Sequence, residues 1–252
     1  NNFICEEDTI NDILENNICN NSCKVINFLN NTCRINNDDI NCKDDIINKT
    51  RNAILNGLFD SLIEEDIIKK NKDLYAEKDN IIYQLTSTYN QNKNEYINIS
   101  TVDFGKCEKK LRSQYGLEDE EPLIMLKIEY YQEGLLIPVI EYEVYNIKEK
   151  KILNLTVCQN ENEKIKISIP VNIDEDILFK YNISSDYYND ICFPFTTEYK
   201  TDIILVDRRN EYINNNMSLC ESNCEFTGYN FDKKEAICEC SIKIKLPLIS
   251  EI

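Results

Sequence analysis

Leu123-Ile124-Met125-Leu126-Lys127-Ile128-Glu129-Tyr130-Tyr131 is the stretch that decides the fold of this chain. It opens on four apolar residues in a row, then alternates apolar with charged. An unbroken apolar start suits a strand covered on both faces. Gln132-Glu133-Gly134 reads as a turn, and Ile137–Tyr145 returns as a second long strand, so the pair is a hairpin. Lys164-Ile165-Lys166-Ile167-Ser168-Ile169 alternates cleanly and suits a strand with one wet face. Further strands are expected at Ile81–Ser87, Lys151–Val157, Asp202–Asp207, Cys224–Tyr229 and Ala236–Leu246. One helix, Cys107–Tyr115, interrupts them and ends at Gly116, a residue suited to the left-handed turn after a helix. This many strands with one short helix indicate a β-sandwich-like pair of sheets.

The N-terminal side has a different period. From Asp45 to Lys70 the apolar residues Ile47, Ile54, Leu55, Leu58, Phe59, Leu62 and Ile63 recur at helical spacing. Asp44 and Asp45 at one end and Lys69, Lys70 and Lys72 at the other complement a helix dipole. Shorter helices are expected at Thr9–Glu15 and Cys23–Leu29. The expected organisation is a helical, disulfide-stapled part over residues 1–78 packed as one unit on a β-rich module over 79–252. The class is mainly β, and α+β overall.

Twelve cysteines and no histidine narrow the function. Cys5, Cys19, Cys23, Cys33 and Cys42 lie in the helical part. Cys107, Cys158, Cys192, Cys220, Cys224, Cys238 and Cys240 lie in the β part. An even number in this pattern reads as a disulfide framework made in an oxidising compartment. If all pair within the chain, at least one bridge crosses between the parts. Cys107 is expected to pair with Cys158. The last four are expected to close around their hairpin, because Cys238 and Cys240 share one face of a strand. Zinc is disfavoured: no His is present and no C-x2-C knuckles occur. Without His, and with no nucleophile–base constellation visible, the chain reads as non-catalytic and free of cofactors.

Net charge is -17, from 45 acidic and 28 basic residues. Such a surface repels phosphate backbones, so nucleic acid is excluded as a partner class. No stretch approaches the run of about eighteen apolar residues that a membrane helix needs, so no membrane insertion is expected. The acidic, cysteine-bearing start NNFICEED reads as a piece of a longer secreted protein whose export signal lies elsewhere. Asn20, Asn30, Asn48, Asn98, Asn154, Asn182 and Asn216 open N-x-[ST] sequons and are glycosylation candidates. All of this suits an extracellular protein, secreted or attached to a cell surface.

Several local patterns carry candidate chemistry. Asn172, Asp174 and Asp176 alternate like the start of a calcium loop. Ile177 and Ile183, however, stand where such a loop needs Gly and Glu, and a helix start competes. Glu118-Asp119-Glu120-Glu121 reads as a solvated loop. Tyr130-Tyr131 and Tyr187-Tyr188 read as sheet and corner residues, with stacking on sugar as the alternative. Arg208 and Arg209, followed by Tyr212, have the make-up of an interface hot spot. The competing reading is a local ion-pair network.

Tyr187-Tyr188-Asn189-Asp190-Ile191-Cys192, Thr201-Asp202-Ile203 and Asp207-Arg208-Arg209-Asn210-Glu211 form one recognisable string. Met217-Ser218-Leu219-Cys220, Cys224, Gly228-Tyr229 and Cys238-x-Cys240 extend it, with Glu95–Ser100 and Pro170–Asp176 upstream. Together they resemble the Cys-containing repeats of cellulosome scaffoldins from anaerobic gut fungi, most densely over Ile81–Lys243. The resemblance implies a non-catalytic, cohesin-like module, one copy of a tandem repeat, that binds dockerins carried by plant-cell-wall-degrading enzymes. A cell-surface adhesin that binds carbohydrate is the alternative, and a glycoside hydrolase the third reading.

Overall fold

The computed structural model describes residues 39–244 except 79, 94–95, 97, 132–135, 160–162 and 197–200. Helix α1 (Asp39–Leu55) leads through a turn to a short α2 (Asp60–Leu62), which runs on as a π-helical turn, Ile63–Ile68. Strands β1 (Leu74–Lys78) and β2 (Ile81–Ser87), helix α3 (Thr88–Lys93), β3 (Thr101–Asp103) and helix α4 (Lys106–Tyr115) follow. Next come β4 (Leu123–Tyr130), β5 (Val139–Asn146), β6 (Lys151–Ile152) and β7 (Ile165–Pro170). Short helix α5 (Asp186–Asn189), helix α6 (Leu205–Asn214), β8 (Cys224–Asn230) and β9 (Glu235–Cys240) complete the order. The strands form two antiparallel sheets, β1-β2-β4-β5-β6 and β3-β7-β9-β8. The fold is therefore mainly β and α+β overall.

β4 is the central strand, and all eight of its residues are buried. Successive side chains point to opposite faces. Leu123 and Met125 turn toward the second sheet, where they join Val102, Tyr142, Val144, Ile165, Ile167, Ile169 and Cys238 in one core. Ile124, Leu126 and Ile128 turn the other way and meet Ile47, Ile54, Phe59, Ile63 and Ile67 of the helical segment. The layers are thus helix, sheet, sheet. Burying those five helical side chains stabilises by roughly 8–15 kcal/mol, as much as a whole domain's usual net stability. The helical segment and the first sheet accordingly share one core. Arg51 adds a polar clamp between the layers. Its Nε and Nη2 donate to the two carboxylate oxygens of Glu143 on β5, at 3.0 and 2.8 Å.

Three disulfides pin the second sheet and its approach. Cys107–Cys158 ties α4 to a 3-10 turn, Leu155–Cys158. Cys220–Cys238 and Cys224–Cys240 tie the preceding segment and β8 to β9. All three pairings follow the sequence expectation. Cys192 does not: it is exposed and makes no bridge among the described residues. Cys5, Cys19, Cys23, Cys33 and Cys42, the helices expected at Thr9–Glu15 and Cys23–Leu29, and the sequons at Asn20 and Asn30 lie outside the residues whose side chains are described.

Other differences have local causes. The helix expected over Asp45–Lys70 divides at Gly57, whose φ of +76° is left-handed. Gly57 N–H donates to Ile54 O at 3.1 Å and Leu58 N–H to Ala53 O at 2.9 Å, a helix stop that satisfies orphan carbonyls. Leu58 consequently leaves the apolar stripe and is exposed. Leu74–Lys78, expected inside the helical part, pairs with β2, so a division at residue 78 cuts a hairpin. The strand expected over Lys151–Val157 lasts two residues, because Asn154 caps the 3-10 turn by accepting from Thr156 N–H. The strand expected over Ala236–Leu246 ends at Cys240. Asp202–Asp207 is no strand: apart from a single bridge at Asp202, its second half is the start of α6. The calcium-like stretch proves to be a helix start, with Asp174 at the N-cap of the 3-10 helix Glu175–Tyr181.

Candidate functional site

Between β7 and β8 the chain builds a small lobe around aromatic rings. Helix α5 places Tyr187 and Tyr188 edge to face, with centroids 4.8 Å apart, and both are fully buried. Phe179, Phe193 and Phe195 pack on Tyr187 at 5.3, 5.7 and 5.0 Å, and Tyr212 packs on Tyr188 at 5.3 Å. These tyrosines are structural, not a sugar-stacking platform. Of the other pair, Tyr130 is buried in β4 and Tyr131 is exposed.

Polar groups lock the rings in place. Tyr187 O–H donates to Glu211 Oε2 at 2.6 Å, and Lys180 Nζ donates to Glu211 Oε1 at 2.9 Å. Lys180 Nζ also lies 4.6 Å from the Phe195 centroid, within cation–π range. Burial pushes the Glu211 carboxyl up. The bonds from Tyr187 and Lys180 and the Lys180 charge outweigh that and hold it below the usual carboxylate value. Burial pushes the Tyr187 and Tyr188 phenols well above theirs.

Helix α6 closes the lobe, and its two faces have opposite tasks. Arg208 points inward and is only 1% exposed. Its guanidinium donates to three carbonyls, Tyr187 O at 2.7 Å, Asp190 O at 3.1 Å and Ile191 O at 3.4 Å. The reading of Arg208 as a contact residue is corrected: its guanidinium is buried and serves the backbone. Its partners are carbonyls and not the carboxylates of a local ion-pair network. Arg209 Nε donates to Tyr188 O at 2.9 Å, yet Arg209 is exposed, and Tyr212 is half-buried.

The outer face of α6 carries Val206, Arg209, Asn210 and Ile213, which fall on one side at helical spacing. Val206 is 62% exposed and Ile213 72%. Ile204, at the N-cap, is 62% exposed, and Ile191, whose carbonyl Arg208 holds, is 77% exposed. Exposed apolar groups collected in one place mark interaction surfaces, whereas scattered ones do not. Asp190, Asp202 and Asp207 are exposed along the same segments. The structure brings Arg208, Arg209 and Tyr212 onto one helix, which the sequence hides together with its apolar face. Ile203-Ile204-Leu205-Val206 reads as a strand, and only the pairing of Val206 with Ile213 seven residues on carries the helical signal.

Elsewhere, Arg112 of α4 donates to the carbonyls of Glu118 and Glu121 and so folds the acidic loop onto the helix. The sequons at Asn98 and Asn154 are exposed, and those at Asn48, Asn182 and Asn216 are half-buried. Among the described residues no group of His, Cys, Asp and Glu is arranged to hold a metal ion, and no helix is long and apolar enough to cross a membrane. No family model, curated protein or solved structure matches this chain.

Proposed function

We propose that the chain is a non-catalytic, extracellular recognition module that holds dockerin-bearing, plant-cell-wall-degrading enzymes in the manner of a scaffoldin cohesin. The observation that carries the reading is the exposed apolar face of α6, where Val206 and Ile213 stand on one side; Ile204 at the N-cap and Ile191 are exposed as well. The likeness of the surrounding string to gut-fungal scaffoldin repeats supports the choice of partner. Three disulfides are compatible with an extracellular setting.

The mechanism is burial of that face. Val206 and Ile213, each about two-thirds exposed, gain roughly 2–4 kcal/mol when covered. Micromolar affinity needs about 8 kcal/mol after the entropy of association has been met. Apolar burial alone therefore falls short, and Arg209 and Tyr212 supply the remainder as hot-spot residues at the edge of the patch. The net charge of -17 speeds encounter with a basic partner. Calorimetry with a panel of fungal-type dockerins tests the reading. Val206→Asp and Ile213→Asp should each weaken binding at least tenfold with an unchanged melting temperature; equal affinity in these variants would place the contact elsewhere.

A further inference from the structure

The outward face of the second sheet is not flat. Strands β3, β7 and β9 floor a cleft of about 620 Å³, walled on one side by α3 and Tyr96 and on the other by the β8–β9 turn. That volume lies within the range of ligand pockets, about 300–1,000 Å³.

The floor is built in cross-strand rows. Thr101 opposes Ser168, which opposes Ile237, and Asp103 opposes Lys166. Glu235 stands at the start of β9. Hydroxyls that both donate and accept thus sit beside carboxylates that only accept and an ammonium that only donates. Among the described residues, Lys166, Ser168 and Glu235 spend no side-chain hydrogen bond or ion pair on the protein itself. Their bonding capacity is open to a ligand.

The wall of α3 and Tyr96 is held from beneath. Tyr96 O–H donates to the buried carboxylate of Asp73, which also accepts from Gln84 Nε2 and Asn90 Nδ2, each at 2.7 Å. Gln91 Nε2 donates to Thr86 Oγ1 at 3.3 Å, and its Oε1 accepts from Val102 N–H at 3.1 Å. Lys127 and Glu129, 2.8 Å apart and both buried, continue the network through Ser100. Burial pushes the Lys127 ammonium down against the pull of Glu129. A buried polar network of this extent costs stability relative to an apolar core and gives rigidity in return. It fixes Gln91 and the ring of Tyr96 at the cleft.

The charges select the ligand. Lys166 in the floor opposes a metal cation, and Asp103 and Glu235 oppose phosphate. A neutral molecule that both donates and accepts at many points, with a ring to lay on Tyr96, fits all of them. We propose that this cleft binds an oligosaccharide. The site uses none of the residues of the α6 face, so it stands or falls independently of dockerin binding.

The test titrates the purified chain with cellohexaose, xylohexaose and mannohexaose, followed by calorimetry and by amide shifts in NMR. At least one should bind at concentrations on the order of millimolar or below. Its shifts should centre on Thr101, Ser168 and Ile237. Lys166→Ala, Ser168→Ala and Glu235→Gln should each weaken that sugar about five- to tenfold, with melting temperature unchanged. Ile213→Asp, which should weaken dockerin binding at least tenfold, should leave sugar affinity intact. No binding of any hexaose at these concentrations overturns the proposal, as does sugar binding indifferent to all three variants. Calcium or inorganic phosphate bound in the cleft in place of sugar also overturns it.

Discussion

Replacing Arg208 by methionine separates a structural arginine from a contact arginine. The guanidinium has two close carbonyl acceptors, at 2.7 and 3.1 Å, and a third at 3.4 Å. It also lies 5.4 Å from the Tyr187 ring. Hydrogen bonds from a charged donor contribute about 1.5–3 kcal/mol each, so the two close ones alone give about 3–6 kcal/mol. Methionine relieves the cost of a buried charge but leaves those carbonyls without a donor. The net loss should be about 3–5 kcal/mol, the usual penalty for removing one partner from a buried charged group. For a unit of this size that lowers the melting temperature by on the order of 10 °C. Urea denaturation measures the loss directly, and proteolysis should cut first between α5 and α6, because the lost bonds join them. Affinity for a dockerin, expressed per folded molecule at low temperature, should fall far less than in Ile213→Asp. An Arg208→Met protein within 1 kcal/mol of wild type that has lost its partner would refute the assignment of Arg208 to the interior.

Three further outcomes follow from particular contacts. Arg51→Ala leaves Glu143 with Tyr145 as its remaining partner and should cost about 3 kcal/mol in urea denaturation. Arg51→Met with Glu143→Met should cost less than either change alone, and additive losses would contradict the clamp. Removing the buried Cys220–Cys238 bridge by paired serine substitution should cost about 3 kcal/mol, given its separation of 18 residues; an unchanged melting temperature would contradict it. Glu211, depressed below 4.5 in the folded state, contributes stability that is complete above that value and lost as pH falls through the folded pKa. Thermal melts of wild type should therefore fall more steeply with acid below about pH 4.5 than those of Glu211→Gln; parallel curves would refute the coupling to Tyr187 and Lys180.

The two-sided burial of β4 is legible in Leu123-Ile124-Met125-Leu126, since on a strand four apolar residues in a row put apolar side chains on both faces. The bridges around β8–β9 are legible because side-chain alternation puts Cys238 and Cys240 on one face of a strand, whereas Cys107 and Cys158, on a helix and a 3-10 turn, are legible only as the local pair of the β part. The break at Gly57 is not, because the apolar period runs through it while the deciding quantity is a backbone angle. The helix at Leu205–Asn214 is hidden for a related reason. Its first residues continue an apolar run of strand-like composition, and its inward anchor is a charged residue, Arg208, where periodicity looks for an apolar one. Burying an arginine needs carbonyls brought from α5 and the residues after it, a tertiary fact that no local window contains. The cleft over β3, β7 and β9 is equally non-local, because its floor joins Thr101 to residues near 168 and 237.

The central claim is that the chain recognises a dockerin through the outer face of α6. Isothermal calorimetry of the folded wild type against a panel of fungal-type dockerins tests it most directly, read at low and physiological salt. The account predicts one-to-one binding at micromolar affinity or better with at least one dockerin. The on-rate should fall as salt rises, because attraction is screened over about 8–10 Å at physiological ionic strength. Binding should weaken at least tenfold in Val206→Asp and Ile213→Asp. No heat and no complex with any dockerin at concentrations on the order of tens of micromolar would contradict it.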